Sequence, residues 1–254
     1  QGLPSLEHLE MISPPLVSRV YDRDSISIGE FYIERRLWAR YQDIPKSLLQ
    51  AVMAIEDRRF FDHWGINLQA FPAAMIPLLQ GKRVRGASTL TQQLAKNLFL
   101  TPERSLERKL REVLLAVKIE QTYTKEEILE FYMNEVCLGA GAYGFRAAAQ
   151  RYFSRPLDSL SIGQCATLAG LLQRPEAYRP DIRPRESKNR RNLVLRSMFE
   201  EGFLAKAEYI AALTEPMNQA SWRPGNDNAS YFVETVRQQL GKTWSDELIY
   251  QKGV

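Results

Sequence analysis

Apolar residues recur at three- and four-residue spacing along most of this chain, the mark of amphipathic helices. Leu48, Leu49, Val52 and Ile55 set that period after Pro45, a residue tolerated in a first helical turn, with Asp43 ahead of them as a candidate cap. The helix so predicted delivers Glu56 and Asp57 at its C-terminal end, where the helix dipole disfavours carboxylates and a purely structural helix would carry Lys or Arg. A longer helix is expected after Pro102, with Leu106, Leu110, Val113, Leu114 and Val117 as its apolar stripe and Arg108, Lys109 and Glu112 sharing another face. Thr124 to Glu127 and Ser161 to Gln164 are capping-box patterns that open two further helices; the first buries Ile128, Leu129 and Tyr132, and the second runs through Leu168 to Leu172.

Period-two or broken patterns lie mainly near the ends. Leu16–Tyr21 and Ile26–Ile33 read as two strands of a hairpin around the polar turn Asp22–Ser25. Gly139, Gly141 and Gly144 mark a tight loop. One more helix is expected after Gly202, then a Pro, Gly and Asn-rich linker from Pro216 to Asn228, a short amphipathic helix at Tyr231–Leu240, and the first half of a strand at Leu248–Tyr250. The fold class expected is mainly α with short β segments at the flanks.

Composition narrows the classes. A 254-residue chain with 44% hydrophobic and 25% charged residues can bury a sizeable core, which excludes a disordered chain or a disulfide-stapled miniprotein. Cys137 and Cys165 are too few for a disulfide framework or a cysteine zinc site. The most apolar stretch, Phe71–Leu79, holds two prolines and falls far short of the roughly 20 residues that span a bilayer. A start at Gln1 without Met points to a fragment or processed form whose N-terminus lies upstream. Net charge is +4, but the segment from Gly81 to Lys118 carries nine Lys or Arg against three Glu, which suits an anionic partner, although by itself such a run fits a solvated helix face better.

Four clusters could carry chemistry. Glu56-Asp-Arg-Arg-Phe-Phe-Asp-His63-Trp-Gly65 packs acids, a histidine and aromatics into a turn, the surroundings a catalytic carboxylate needs. Gly86-Ala-Ser-Thr-Leu-Thr-Gln-Gln-Leu-Ala-Lys96-Asn97 brings hydroxyls, amides and a lysine to a helix N-terminus, suited to phosphate or sugar oxygens. Arg104 with Arg108-Lys-Leu-Arg-Glu112 sets cations in a row that could neutralise a pyrophosphate. Arg190-Arg-Asn-Leu-Val-Leu195 reads as a basic helix start. Each also has a plain structural reading: a charged helix end with a core histidine, a Ser/Thr-capped helix, an exposed i,i+4 ion pair, a solvated basic turn.

Order and wording of these clusters, with Lys125-Glu-Glu-Ile-Leu-Glu-Phe-Tyr-Met-Asn134 between the third and fourth, resemble the five motifs of the family 51 peptidoglycan glycosyltransferases. The flanks, Pro14–Tyr21 with Gly29-Glu-Phe31 and Ser230–Arg237, are similar to the segments that bracket this domain in class A penicillin-binding proteins of the 1A type. There a transpeptidase follows. No Ser-x-x-Lys occurs in this chain and Gly241-Lys-Thr-Trp244 is not a Lys-Thr-Gly, so no transpeptidation is expected from these residues.

The resemblance implies a lysozyme-like glycosyltransferase domain with a small membrane-associated lobe. It divides the chain into a linker and hairpin at 1–35, the enzymatic domain at 36–213 with a membrane-contacting mobile stretch at 66–84, and a linker with the start of a transpeptidase region at 214–254. The implied activity is inverting polymerisation of lipid II into β-1,4 glycan strands, with Glu56 as general base and Glu112 assisting on the pyrophosphate side. The two carboxylates would be spaced for a single displacement, by analogy with inverting glycosidases. Asp57, Phe60 and His63 would shape the first site; Ser88, Thr89, Gln92, Gln93 and Asn97 the donor cleft; and Lys96, Arg104, Arg108 and Lys109 would meet the phosphates.

A divalent cation, magnesium or manganese, is compatible with Glu112, and no organic cofactor is implied. Implied partners are lipid II, the growing glycan, the membrane surface, phosphoglycolipid inhibitors of the moenomycin type and other cell-wall synthesis proteins, with no nucleic acid. The implied location is the outer face of the bacterial cytoplasmic membrane, anchored by a helix upstream of Gln1. Leu68, Phe71, Met75, Ile76, Leu78 and Leu79 followed by Lys82, Arg83 and Arg85 suit an insertion surface with a basic collar, or equally a core helix broken by Pro72 and Pro77. Two rivals differ in kind: a glycan-cleaving muramidase, which would not need the row of cations, and a non-catalytic membrane or anion-binding module, which would not need Glu56 and Glu112.

Overall fold

A computed structural model describes residues 18–25, 27–31, 35–36, 38–67, 88–100, 105–217, 235–236 and 239–240. The expected hairpin forms: β1 (Ser18–Tyr21) pairs antiparallel with β2 (Ser27–Phe31), with an irregularity in register at Val20/Tyr21. A second pairing was not expected. Strand β3 (Arg35–Arg36) runs parallel to β4 (Ala142–Tyr143), so the N-terminal flank is stitched by backbone to the glycine loop, in which Gly139, Gly141 and Gly144 all have positive φ.

Helices make up most of the rest. Helix α1 (Lys46–Glu56) buries Leu48, Leu49, Ala51, Val52 and Ala54, each large apolar side chain contributing roughly 1.5–3 kcal/mol by leaving water. Its N-cap is Pro45, in extended backbone; Asp43 does not cap it but lies in a separate 3-10 turn, Tyr41–Asp43. Then come α2 (Leu90–Phe99), α3 (Leu106–Thr122), α4 (Lys125–Glu135), α5 (Phe145–Phe153), α6 (Ile162–Leu171), α7 (Pro184–Glu200) and α8 (Lys206–Thr214). Capping boxes open α2, α4 and α6 at Thr89, Thr124 and Ser161. Every residue of α6 from Gly163 to Leu171 is buried, as befits a helix that is apolar nearly all round. Helices α1 and α7 pack on it and on each other, while α2 packs on α3 and α4.

The expected stripe on α3 is overturned. Leu110 is 60% and Leu114 45% exposed, and Val113 and Val117 are only half-buried. The buried face is Glu112, Leu115, Ala116 and Ile119, the same i, i+3, i+4, i+7 spacing turned around the helix. Arg190 and Arg191 sit in the middle of α7 rather than at a helix start. No described helix is long and apolar enough to cross a membrane. The membrane-contacting stretch, apart from residues 66–67, lies outside the described residues, as do Arg104 and the strand expected at 248–250. Of the short helix expected at 231–240, residues 235–236 and 239–240 are described, and these are helical.

Candidate active site

Glu56 is the last residue of α1, and its neighbour Asp57 turns the chain out of the helix with φ −157°. Asp57 is buried and its Oδ2 accepts two hydrogen bonds, from His63 Nε2 at 2.9 Å and from the backbone N–H of Leu90 at 3.0 Å. The second of these is an orphan donor in the first turn of α2, where a carboxylate is favoured by the helix dipole. His63 Nδ1 accepts from the N–H of Gly65 at 3.2 Å, which leaves the proton on Nε2 to face Asp57. Gly65 O in turn accepts from the Thr89 hydroxyl at 2.8 Å. Gly65 has φ +92°, and a Cβ there would lie 3.0 Å from the carbonyl oxygen of Ala116, so a larger residue could neither adopt the turn nor fit against α3.

These contacts join the turn after α1 to the start of α2. Phe60 is wholly buried beneath them, with Lys125 4.4 Å from its ring centroid. Asp57, Phe60, His63, Thr89 and Gln92 are thus turned inward onto one another: Thr89 and Gln92 are spent on the capping box, and the His63 and Asp57 side chains are 7% and 3% exposed. They hold the wall in place from behind its surface.

On that wall the Gln93 amide, in the first turn of α2, donates to Glu56 Oε2 at 2.9 Å and accepts from the Tyr132 hydroxyl on α4 at 3.2 Å. Burial pushes the Glu56 carboxyl above its ordinary range; the Gln93 hydrogen bond and the positive charges of Arg190 and Lys96 partly offset this. Glu56 has no salt-bridge partner among the described residues. Lys96 and Asn97 are exposed one turn further along α2.

In sequence Arg190 is only part of a basic stretch, yet it faces this carboxylate. Its Nε donates to Gly170 O at 3.3 Å, and its guanidinium lies 5.7 Å from the Tyr178 ring centroid. Gly170 permits this approach, since a Cβ there would sit 3.0 Å from Arg190 Cγ. Arg191 points the other way. It is buried and donates to the last carbonyls of α8, Glu215 O at 2.8 Å and Leu213 O at 3.1 Å, a helix-end role. Adjacent arginines on a helix face about 100° apart, which a linear basic motif does not display.

The second carboxylate is differently surrounded. Glu112 on α3 is buried, with Lys109 Nζ bonded to Oε1 and Arg108 3.4 Å from Oε2. Lys109 Nζ also donates to Ser88 Oγ at 2.9 Å, linking this group to the entry of α2. Arg108 Nε is buried without a hydrogen-bond partner among the described residues, a donor that an anion would satisfy. Both oxygens of Glu112 are taken by cations, and the described residues contain no group of three or more His, Cys, Asp or Glu able to hold a metal ion. The donor set here fits an anion better than a divalent cation.

The family model described as Transglycosylase matches residues 24–199. Penicillin-binding protein 1A of Neisseria flavescens is 40% identical over 251 residues, covering 98% of this chain and 32% of that protein. Penicillin-binding protein 1A of Aquifex aeolicus is 44% identical over 218 residues, covering 85% of this chain and 30% of that protein. Among solved structures, the 2.6 Å crystal structure of penicillin-binding protein 1A from Haemophilus influenzae matches with a TM-score of 0.59 at 27% identity, over 95% of this chain and 26% of that one. The chain therefore spans about a third of the length of the curated relatives it matches.

Proposed function

Since the chain belongs to the transglycosylase family, we propose that it is a peptidoglycan glycosyltransferase that polymerises lipid II into β-1,4 glycan strands. Residues 36–213 form the enzymatic domain in this reading. Glu56 accepts the proton of the acceptor's 4-hydroxyl as that oxygen attacks C1 of the donor sugar. The new C1–O bond forms on the face opposite the departing C1–O bond, inverting the centre, and undecaprenyl pyrophosphate leaves with the bonding electron pair.

One contrast carries the assignment: Glu56 is held by a neutral amide, whereas Glu112 is locked between two cations. A general base must be able to take up a proton near working pH, and burial raises the carboxyl of Glu56 toward that range. Glu112 serves instead to fix Arg108 and Lys109 as a cradle for the leaving pyrophosphate, with Lys96 and Arg104 adding charge. Developing negative charge is stabilised most by donors already in position, and Glu112 holds Arg108 and Lys109 in place. The carboxylate that would bind a divalent cation is engaged by Arg108 and Lys109.

Phosphoglycolipids of the moenomycin type, which mimic the donor, occupy the same cradle in this reading, and the chain works at the outer face of the cytoplasmic membrane. Incubating the chain with labelled lipid II tests the proposal. Appearance of polymer supports it; release of soluble muropeptides from preformed glycan, without polymer from lipid II, favours the muramidase instead.

A further inference from the structure

The Tyr132 hydroxyl takes no direct part in the transfer described above. Tyr132 is 1% exposed on α4, and its O–H is committed to Gln93 Oε1, the amide that also holds Glu56. Burial pushes the phenol's ionisation well above its ordinary value, so it stays a donor at every working pH.

An amide can present either end to a carboxylate. Its NH2 stabilises the ionised form, whereas its oxygen repels that form and favours the protonated one. With Tyr132 donating to Oε1, the NH2 is turned to Glu56 Oε2. Glu56 Oε1 accepts no hydrogen bond from the described residues and is left for the incoming hydroxyl.

We propose that Tyr132 is a positioning residue for glycosyl transfer: it fixes the orientation of the Gln93 amide and thereby keeps Glu56 ionised and aimed as a base. This deepens the function proposed above and rests on Glu56 being the base. Other charged or titratable groups facing Glu56 are Lys96 on α2, Arg190 on α7 and Asp57 on its own turn. Cys165 on α6 is bonded to Ser47 at the opposite end of α1. None of these is hydrogen-bonded to the Gln93 amide among the described residues, and that amide is the hydrogen-bonded link between Tyr132 and Glu56.

The test uses the 254-residue chain with the isosteric Tyr132→Phe, Gln93→Met and the double variant. Polymerisation of labelled lipid II is followed across pH, and the Glu56 carboxyl is titrated by carbon-13 NMR. Tyr132→Phe should keep a cooperative thermal transition and move the acidic limb upward by roughly one pH unit, a tenfold change in the protonation equilibrium, with activity recovering at higher pH. Gln93→Met should do the same, and the double variant no more than either alone. An unmoved limb with activity lowered equally at all pH would mean that Tyr132 only fills space, and would overturn the proposal. NMR separates the two readings: a Glu56 titration shifted in Tyr132→Phe supports the relay even if Glu56→Gln proves active, and an unshifted one sinks the relay while leaving the base assignment standing.

Discussion

Replacing Asp57 by Ala should cost both stability and activity, although the side chain barely meets solvent. The carboxylate accepts from His63 Nε2 and from the N–H of Leu90, and both donors are left in a site closed by Gly65, Thr89 and Phe60. Hydrogen bonds to a charged acceptor contribute about 1.5–3 kcal/mol each, and an orphaned buried donor keeps its desolvation penalty. His63 can recover part of its loss by shifting, so a total of about 3 kcal/mol is expected. For a chain of this length that corresponds to a fall in Tm of roughly 6–12 °C. Asp57→Asn keeps one oxygen able to accept from both donors and should lose less than half as much. Differential scanning calorimetry of the two variants decides it: a loss below about 1 kcal/mol for Asp57→Ala, or equal losses for the two, would refute the inference that this carboxylate locks the end of α1 to the start of α2.

Other consequences concern charge. Lys96→Ala should weaken binding of a donor-mimicking phosphoglycolipid by about tenfold in calorimetric titration, and unchanged affinity would remove Lys96 from the cradle. The raised Glu56 carboxyl should place the acidic limb of the polymerisation profile above the ordinary glutamate range near about 4.3, since the base is lost as pH falls through its folded value. The same shift has the opposite sign for stability. A carboxyl that binds its proton more tightly when folded loses stability as pH rises from its unfolded to its folded value, so Glu56→Gln should melt slightly higher than the parent at neutral pH and no higher well below that window. Equal melting curves at neutral pH would show that ionised Glu56 is not strained by burial.

Much of the fold was legible because it is written in local chemistry. Thr124 and Ser161 cap their helices with partners three residues on, and the closely spaced Gly139, Gly141 and Gly144 permit the positive φ that all three adopt. The rotation of α3 was not legible, because two stripes satisfy helical period and the true one begins with a charge: Glu112 leads the buried face only because Arg108 and Lys109 neutralise it there. The parallel pairing of residues 35–36 with 142–143 depends on contacts more than a hundred residues apart, which no local pattern encodes. At the site, the structure brings the motif segments together, but a motif read in sequence does not separate side chains at the surface from those behind it. Thr89 and Gln92 were assigned to the donor cleft, yet both are spent on the capping box, while Gln93, one position along, reaches Glu56. Arg190 became visible only through the bare carbon of Gly170 across the helix interface.

The central claim is that Glu56 is the base of a lipid II polymerase. Polymerisation of labelled lipid II by the parent chain and by Glu56→Gln, at a temperature where both are folded and at saturating substrate, tests it most directly. The account predicts glycan polymer from the parent and less than about a tenth of that rate from the variant, whereas a variant faster than that, having lost under about 1.4 kcal/mol of transition-state stabilisation, would contradict it.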